Sequence, residues 1–193
     1  MRRLFLSRLL SMVVVLSGAF IGLSFAQSAP AAPFRVPFEM PAKIGDARLR
    51  DSTFIADAMA YRYQGKHITG FDIYVWPLPA DSLDVTARDS LLRLEVTKFK
   101  ETGPIGLERG WYEDYKIAFD APHPVALDRD SLPGYVVALV FARGGQRFAS
   151  FFYIYAIEGM YFKIRLTVPG DDWGSNPAMD LPAALVQRIA RKR

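Results

Sequence analysis

The chain predicts an α+β fold: an antiparallel β-sheet, built from a hairpin and a three-stranded meander, packed by two α-helices. Three observations lead there. Between Tyr135 and Val168, three β-rich runs are separated only by Gly144-Gly145 and Glu158-Gly159, pairs suited to two-residue hairpin turns. A further pair of β-rich runs, 58–64 and 68–76, has Gly65 and Gly70 near the turn between them and reads as a hairpin. Two other stretches, one opening near Thr86 and one at 181–191, carry apolar residues at helical spacing.

The chain opens on a basic start, Arg2, Arg3 and Arg8, followed by an apolar run from Leu9 to Phe25. Ser24 and Ala26 place small residues where a signal peptidase reads, which is the layout of an export signal over residues 1–26 with cleavage after Ala26. An uncleaved anchor competes with this reading. Residues 9–26 just reach the roughly 20 residues needed to span a bilayer, but Ser11, Ser17, Gly18, Gly22 and Ser24 dilute the run. Arg2-Arg3-Leu4-Phe5-Leu6 resembles the core of a twin-arginine signal, while Val13-Val14-Val15-Leu16 is very apolar for one and favours the ordinary route. The absence of cysteine excludes a lipid-anchored lipoprotein. The expected location is the periplasm or the medium. Membrane contact is expected only through the leader, if it stays uncleaved.

Residues 27–33, rich in Ala, Pro and Ser, read as a flexible lead, and 34–193 as one α+β domain. Phe34 to Met40 reads as an edge strand, because Pro37 cannot donate to a ladder. In the hairpin, Phe71, Ile73 and Val75 alternate with Asp72, Tyr74 and Trp76, a period of two. The first helix opens on Thr86 and Asp89 in a capping-box-like pattern. It buries Leu91, Leu92, Val96 and Phe99 and stops at Gly103-Pro104. Residues 111–119 resume as strand, and 120–134 form a proline-rich loop. The meander's centre, Phe148 to Ile157, is apolar nearly throughout, so both of its faces are expected to be covered. Trp173 closes over the sheet edge, Asn176-Pro177 prepares the last helix, and Leu181, Leu185 and Ile189 give that helix an apolar stripe.

This order of elements resembles the PsbP-like α/β sandwich of exported proteins. The resemblance rests on Ala60-Tyr61-Arg62-Tyr63, Asp72-Ile73-Tyr74-Val75-Trp76-Pro77 and Phe162-Lys163-Ile164-Arg165-Leu166-Thr167. It implies a fold and an extracytoplasmic setting, and it brings no catalytic motif with it.

Composition narrows the chemistry. Three of the positive charges lie in the leader, and four more (Arg188, Arg191, Lys192, Arg193) end the chain. The body from Gln27 to Gln187 holds 17 basic and 20 acidic residues, so the high isoelectric point belongs to the ends and nucleic-acid binding is not expected. Without cysteine there is no thiolate catalysis, no thiolate metal site and no disulfide. His67 and His123 read as surface turn residues, too few for a zinc site without distant carboxylates. No G-x-S-x-G, H-E-x-x-H or phosphate-loop motif occurs, and Ser90, Ser131 and Ser150 have no local base. No catalytic residue, metal ligand or cofactor is therefore expected. The favoured reading is a non-catalytic module that binds a small anionic ligand or an envelope protein partner. The alternative is a hydrolase or other enzyme with a dispersed active site.

One strand holds the candidate site. In 160–168, Phe162, Ile164, Leu166 and Val168 share one face, and Tyr161, Lys163, Arg165 and Thr167 share the other. Two cations on an interior strand need partners or solvent. Lys163 and Arg165, lined by Tyr161 and Trp76, are the candidate ligand-binding residues of an anion groove. The structural alternative has both cations snorkel past a covering helix and pair with acids such as Glu95 or Asp72.

Overall fold

The computed structural model describes residues 34–79, 84–128, 130–170 and 173–190. The leader, its cleavage position Ala26 and the lead to residue 33 lie outside the described residues. The strands are β1 (Lys43–Ile44), β2 (Ala47–Ile55), β3 (Ala58–Gln64), β4 (Gly70–Pro77), β5 (Asp114–Pro122), β6 (Val125–Ala126), β7 (Ser131–Leu132), β8 (Gly134–Arg143), β9 (Gln146–Ile157) and β10 (Met160–Pro169). The helices are α1 (Val85–Glu108) and α2 (Leu181–Ala190). Eight strands form one antiparallel sheet in the order β1-β2-β3-β4-β10-β9-β8-β5, and β6 pairs with β7 alone. The expected hairpin and meander are thus one sheet, joined where β10 returns to lie against β4.

Two-residue turns set the register. Gly144 and Gly145 have φ of 61° and 69°, and Glu158 and Gly159 have 53° and 71°, the left-handed pair that matches strand twist. Ala56 and Asp57 close the β2–β3 hairpin in the same conformation without a glycine. That hairpin is absent from the sequence reading for this reason. Ala47-Arg48-Leu49-Arg50-Asp51-Ser52 is also polar and mostly exposed, as an edge strand tolerates.

The main core lies on the face that α2 covers. Phe71, Ile73, Val75, Phe151, Phe162, Ile164, Leu166 and Val168 are fully buried there, with Leu185 and Val186 of α2 above them. The leucine stripe is borne out, since Leu181, Leu185 and Ile189 are all buried. Asn176 accepts from Ala178 N at 2.9 Å and caps the short 3-10 turn Pro177–Asp180 that runs into α2. Trp173 packs edge-on against Phe151, 5.8 Å between rings.

Phe34 to Met40 is not a strand. The segment crosses the core face outside any ladder, with Phe34, Val36 and Phe38 half-buried, Met40 buried, and the residues between them exposed. Phe38 meets the Phe162 ring at 5.7 Å, and the Tyr63 hydroxyl donates to Pro41 O at 2.6 Å. The period of two in the sequence reports extended backbone packed on one side. It does not report hydrogen-bonded pairing.

The opposite face carries α1. Leu92 and Val96 are buried against Val137, Phe152 and Ile154, and Phe99 stacks on Phe152 at 4.4 Å. The helix begins earlier than Thr86, with Asp84 as cap accepting from Ala87 N at 3.3 Å. Asp89, expected in a capping box, instead accepts from the Tyr135 hydroxyl and pairs with Arg93 at 2.8 Å, which ties α1 to β8. The helix also runs past Gly103-Pro104 to Glu108. Proline removes one backbone donor but leaves later turns able to bond, and Arg109 N donates to Ile105 O at 3.0 Å. The nearby glycines serve packing. A Cβ on Gly103 would lie 2.5 Å from the Tyr115 ring, and one on Gly106 would lie 2.3 Å from Tyr112.

Candidate functional site

The register places the four candidate residues on the α1 face. Tyr161 is opposite Trp76, Lys163 opposite Tyr74, and Arg165 opposite Asp72. Positions two apart on a strand lie about 7 Å apart on one face, so the face is a set of parallel rows, each with its own neighbours.

In the first row, Trp76 and Tyr161 stack with centroids 4.9 Å apart and planes 26° apart. The Lys163 ammonium lies 5.6 Å from the Trp76 centroid and 4.7 Å from that of Phe152, so both rings offer it their π faces. Burial lowers its pKa to about 8, with Arg165 and Lys98 pushing the same way and the Glu95 carboxylate opposing them. Glu95 itself bonds Lys98 at 2.6 Å. Lys163 is thus a desolvated cation boxed by aromatic rings, with the Glu95 carboxylate of α1 favouring its charged form.

Arg165 lies one row further on, in different surroundings. Asp51 of β2, Arg62 of β3, Asp72 of β4 and Arg165 of β10 are successive register partners, a row of alternating charge across four strands. Arg62 contacts Asp51 and Asp72, each at 3.5 Å. The Asp51 and Arg62 side chains are about half exposed, whereas Asp72 is only 13% exposed, so the row runs from solvent into the protein. Burial raises the Asp72 pKa, and Arg165 and Arg62 hold it down in part. Arg165 Nε donates to Ser150 Oγ at 3.3 Å, and Ser150 Oγ is 3.0 Å from Thr167 Oγ1. Ser150 and Thr167 are both buried.

Arg165, Asp72 and Thr167 line a cleft of about 180 Å³ with Thr69, Gly70, Phe141, Arg143 and Phe148. It lies at the Gly70–Thr167 end of the β4–β10 pair, the opposite end from the Trp76–Tyr161 row. Trp76, Tyr161 and Lys163 do not line it. The structure therefore brings three of the candidates together and gives Arg165 to a separate concavity. Sequence reasoning named Asp72 as an acid for these cations, and the register puts it opposite Arg165; it missed Arg143 and Phe148 altogether. With β2 unread, the row had no register, and nothing in the sequence aligns the ends of β4, β8, β9 and β10.

His123 also differs from its reading as a surface residue. It is half-buried, with Nδ1 2.7 Å from the Tyr155 hydroxyl and its ring edge-on to Tyr153 at 4.9 Å. Burial lowers its pKa. A proline on either side of it marked a loop; the sequence ends the strand at 119, whereas β5 runs on to Pro122 and His123 N then donates to Gly134 O at 2.7 Å. His67 is exposed, and its carbonyl accepts from Asn176 Nδ2 at 3.2 Å. Among the described residues, no group of three or more His, Asp or Glu is arranged to hold a metal ion. No helix among them is long and apolar enough to cross a membrane.

No protein-family model matches the chain, and no curated protein matches it. Among solved structures it is similar to the solution structure of cyanobacterial PsbP (CyanoP) from Synechocystis sp. PCC 6803. The identity is 8%, the match covers 74% of this chain and 92% of that one, and the TM-score is 0.45. This is the kind of protein whose element pattern the sequence resembles. At such an identity no residue's role passes from one chain to the other.

Proposed function

We propose that the chain is an exported, non-catalytic binding module whose ligand is a small anion held at Arg165. The observation that carries this reading is the state of that guanidinium. Among the described residues its one hydrogen bond is from Nε to Ser150, and it lines a cleft sized for a small molecule. A planar guanidinium fixed at Nε keeps its terminal nitrogens for an oxyanion. The Thr167 hydroxyl in the cleft is engaged with Ser150, so the lining resembles a receptor more than a nucleophile with its base. Lys163 adds positive potential from the next row.

Native mass spectrometry of the protein isolated from the periplasm tests this reading. The expected species begins at Gln27 and carries a small bound molecule that Arg165→Ala loses. A full-length chain recovered from the cytoplasm with Met1 attached would contradict export. A bound molecule retained by Arg165→Ala would contradict the site.

A further inference from the structure

We infer that Lys163 is a nucleophilic amine, a site where small aldehydes are captured as a Schiff base. Lys163 does not line the Arg165 cleft, and its chemistry is independent of the anion proposed there. The first feature that singles it out is what surrounds the ammonium. Its register partners are Tyr74 of β4 and Ile154 of β9, and its Nζ lies 4.7 Å from the Phe152 centroid and 5.6 Å from that of Trp76. Among the described residues Nζ has no hydrogen-bond or ion-pair partner. Rings stand where water would otherwise solvate the charge, which favours the neutral amine. Their π faces return only part of that loss.

The second feature is the balance of charge. From α1, Glu95 and Lys98 both act on Lys163, and Lys98 bonds that carboxylate at 2.6 Å. Arg165 adds another cation from the same face of β10. The phenols of Tyr74 and Tyr161 are kept neutral by burial and add no charge. Two cations thus act against one shared carboxylate, and burial works with them, in keeping with a lysine pKa lowered to about 8. At pH 7 roughly a tenth of Lys163 is then the free amine, against roughly 0.04% of an ordinary lysine.

The third feature is access. Lys163 is half-buried, and its Nζ is not cut off from solvent. A lysine sealed in the core would be inert, whereas one at the border of α1 is both desolvated and reachable. The other described lysines do not combine these properties. Lys98 and Lys100 are ion-paired with Glu95 and Asp120, and Lys43, Lys66 and Lys116 are exposed. Walled by two rings, the nitrogen is reached from the solvent side, which suits a small carbonyl compound. The amine lone pair attacks the carbonyl carbon, a C–N bond forms as the carbonyl π bond breaks, and the oxygen takes a proton from the nitrogen. The carbinolamine then loses its hydroxyl with the remaining N–H proton as water and leaves a C=N bond on Lys163.

Reductive methylation of the purified protein tests the proposal. Formaldehyde is supplied below the total amine, cyanoborohydride reduces each imine as it forms, and peptide mass spectrometry reads which lysine is modified. At pH 7 Lys163 is expected to react at least about tenfold faster than Lys43, Lys66 or Lys116, because its larger free-amine fraction outweighs its lower basicity. Above about pH 10.5, where most of every lysine is free amine, that lead should vanish. Glu95→Gln removes the carboxylate that favours the ammonium, so Lys163 should react about threefold faster at pH 7. Lys163 reacting no faster than the exposed lysines at pH 7 would overturn the inference. A lead that persists unchanged above pH 10.5 would also overturn it, since the free-amine fraction would not be its cause. Unchanged reactivity in Glu95→Gln would overturn the electrostatic account of the site.

Discussion

On the face covered by α2, β10 presents Phe162, Ile164, Leu166 and Val168, each with no exposed surface. On the other face the same strand presents Tyr161, Lys163, Arg165 and Thr167, among two ion-pairing networks, two buried hydroxyls and a cleft. The first face is closed by aliphatic and aromatic packing alone. The second is closed by α1 over β5, β8 and β9 and as far as Trp76 and Tyr161, and it is left to polar chemistry at the Asp72–Arg165 end of β4 and β10. A helix that covers half a sheet face makes a boundary. Polar groups along that boundary are dry enough to be selective and open enough to meet a ligand.

Breaking the dry face should cost the most. Phe151 has no exposed surface and touches the rings of Phe119, Tyr153 and Trp173. Phe151→Ala is expected to lose about 3–5 kcal/mol in denaturant unfolding. Next is Gly134→Ala, whose Cβ would lie 2.3 Å from the buried Tyr155 ring and 2.9 Å from Ile154 O. Neither neighbour is a flexible chain end, so a loss of about 1–3 kcal/mol is expected in the same assay.

The half-covered face is expected to respond with the opposite sign. Lys163→Met removes a desolvated cation while filling its volume, and it leaves Glu95 with Lys98. It should stabilise the protein at pH 7 by about 1–3 kcal/mol. The pH dependence follows from the direction of the shift. The unfolded lysine keeps its proton up to about 10.5, while the folded one releases it near 8. Wild-type stability should therefore rise between about pH 8 and pH 10.5, and the variant should lack that rise, as parallel denaturant titrations would show. A Lys163→Met variant that loses stability at pH 7 would place Lys163 among the groups that hold the fold together. The smallest effect is expected from Lys98→Ala, which breaks an ion pair whose lysine is 57% exposed and should change stability by about 0.5 kcal/mol or less.

Much of this division could be read from the residues. Alternation in 71–76 and 160–168 assigned each side chain to its face, and double-glycine or Glu-Gly turns fixed the meander, because local backbone chemistry determines both. Ala56-Asp57 hid the β2–β3 hairpin, since neither residue advertises a left-handed turn. Phe34 to Met40 imitated a strand because extended packing and ladder pairing share a period of two. Tyr161, Lys163, Arg165 and Trp76 were correctly placed on one face. The cleft was not legible, because it joins Thr69, Phe141, Phe148 and Arg165 through register between strands far apart in sequence.

Thermal unfolding of the wild type and of Arg165→Ala, with and without saturating small oxyanions, tests the central claim most directly. The expected result is a variant midpoint within about 2 °C of the wild type, together with loss of the several-degree rise that a bound anion gives the wild type. A midpoint far below the wild type, with no anion-dependent rise in either protein, would make Arg165 a structural cation and contradict the assignment.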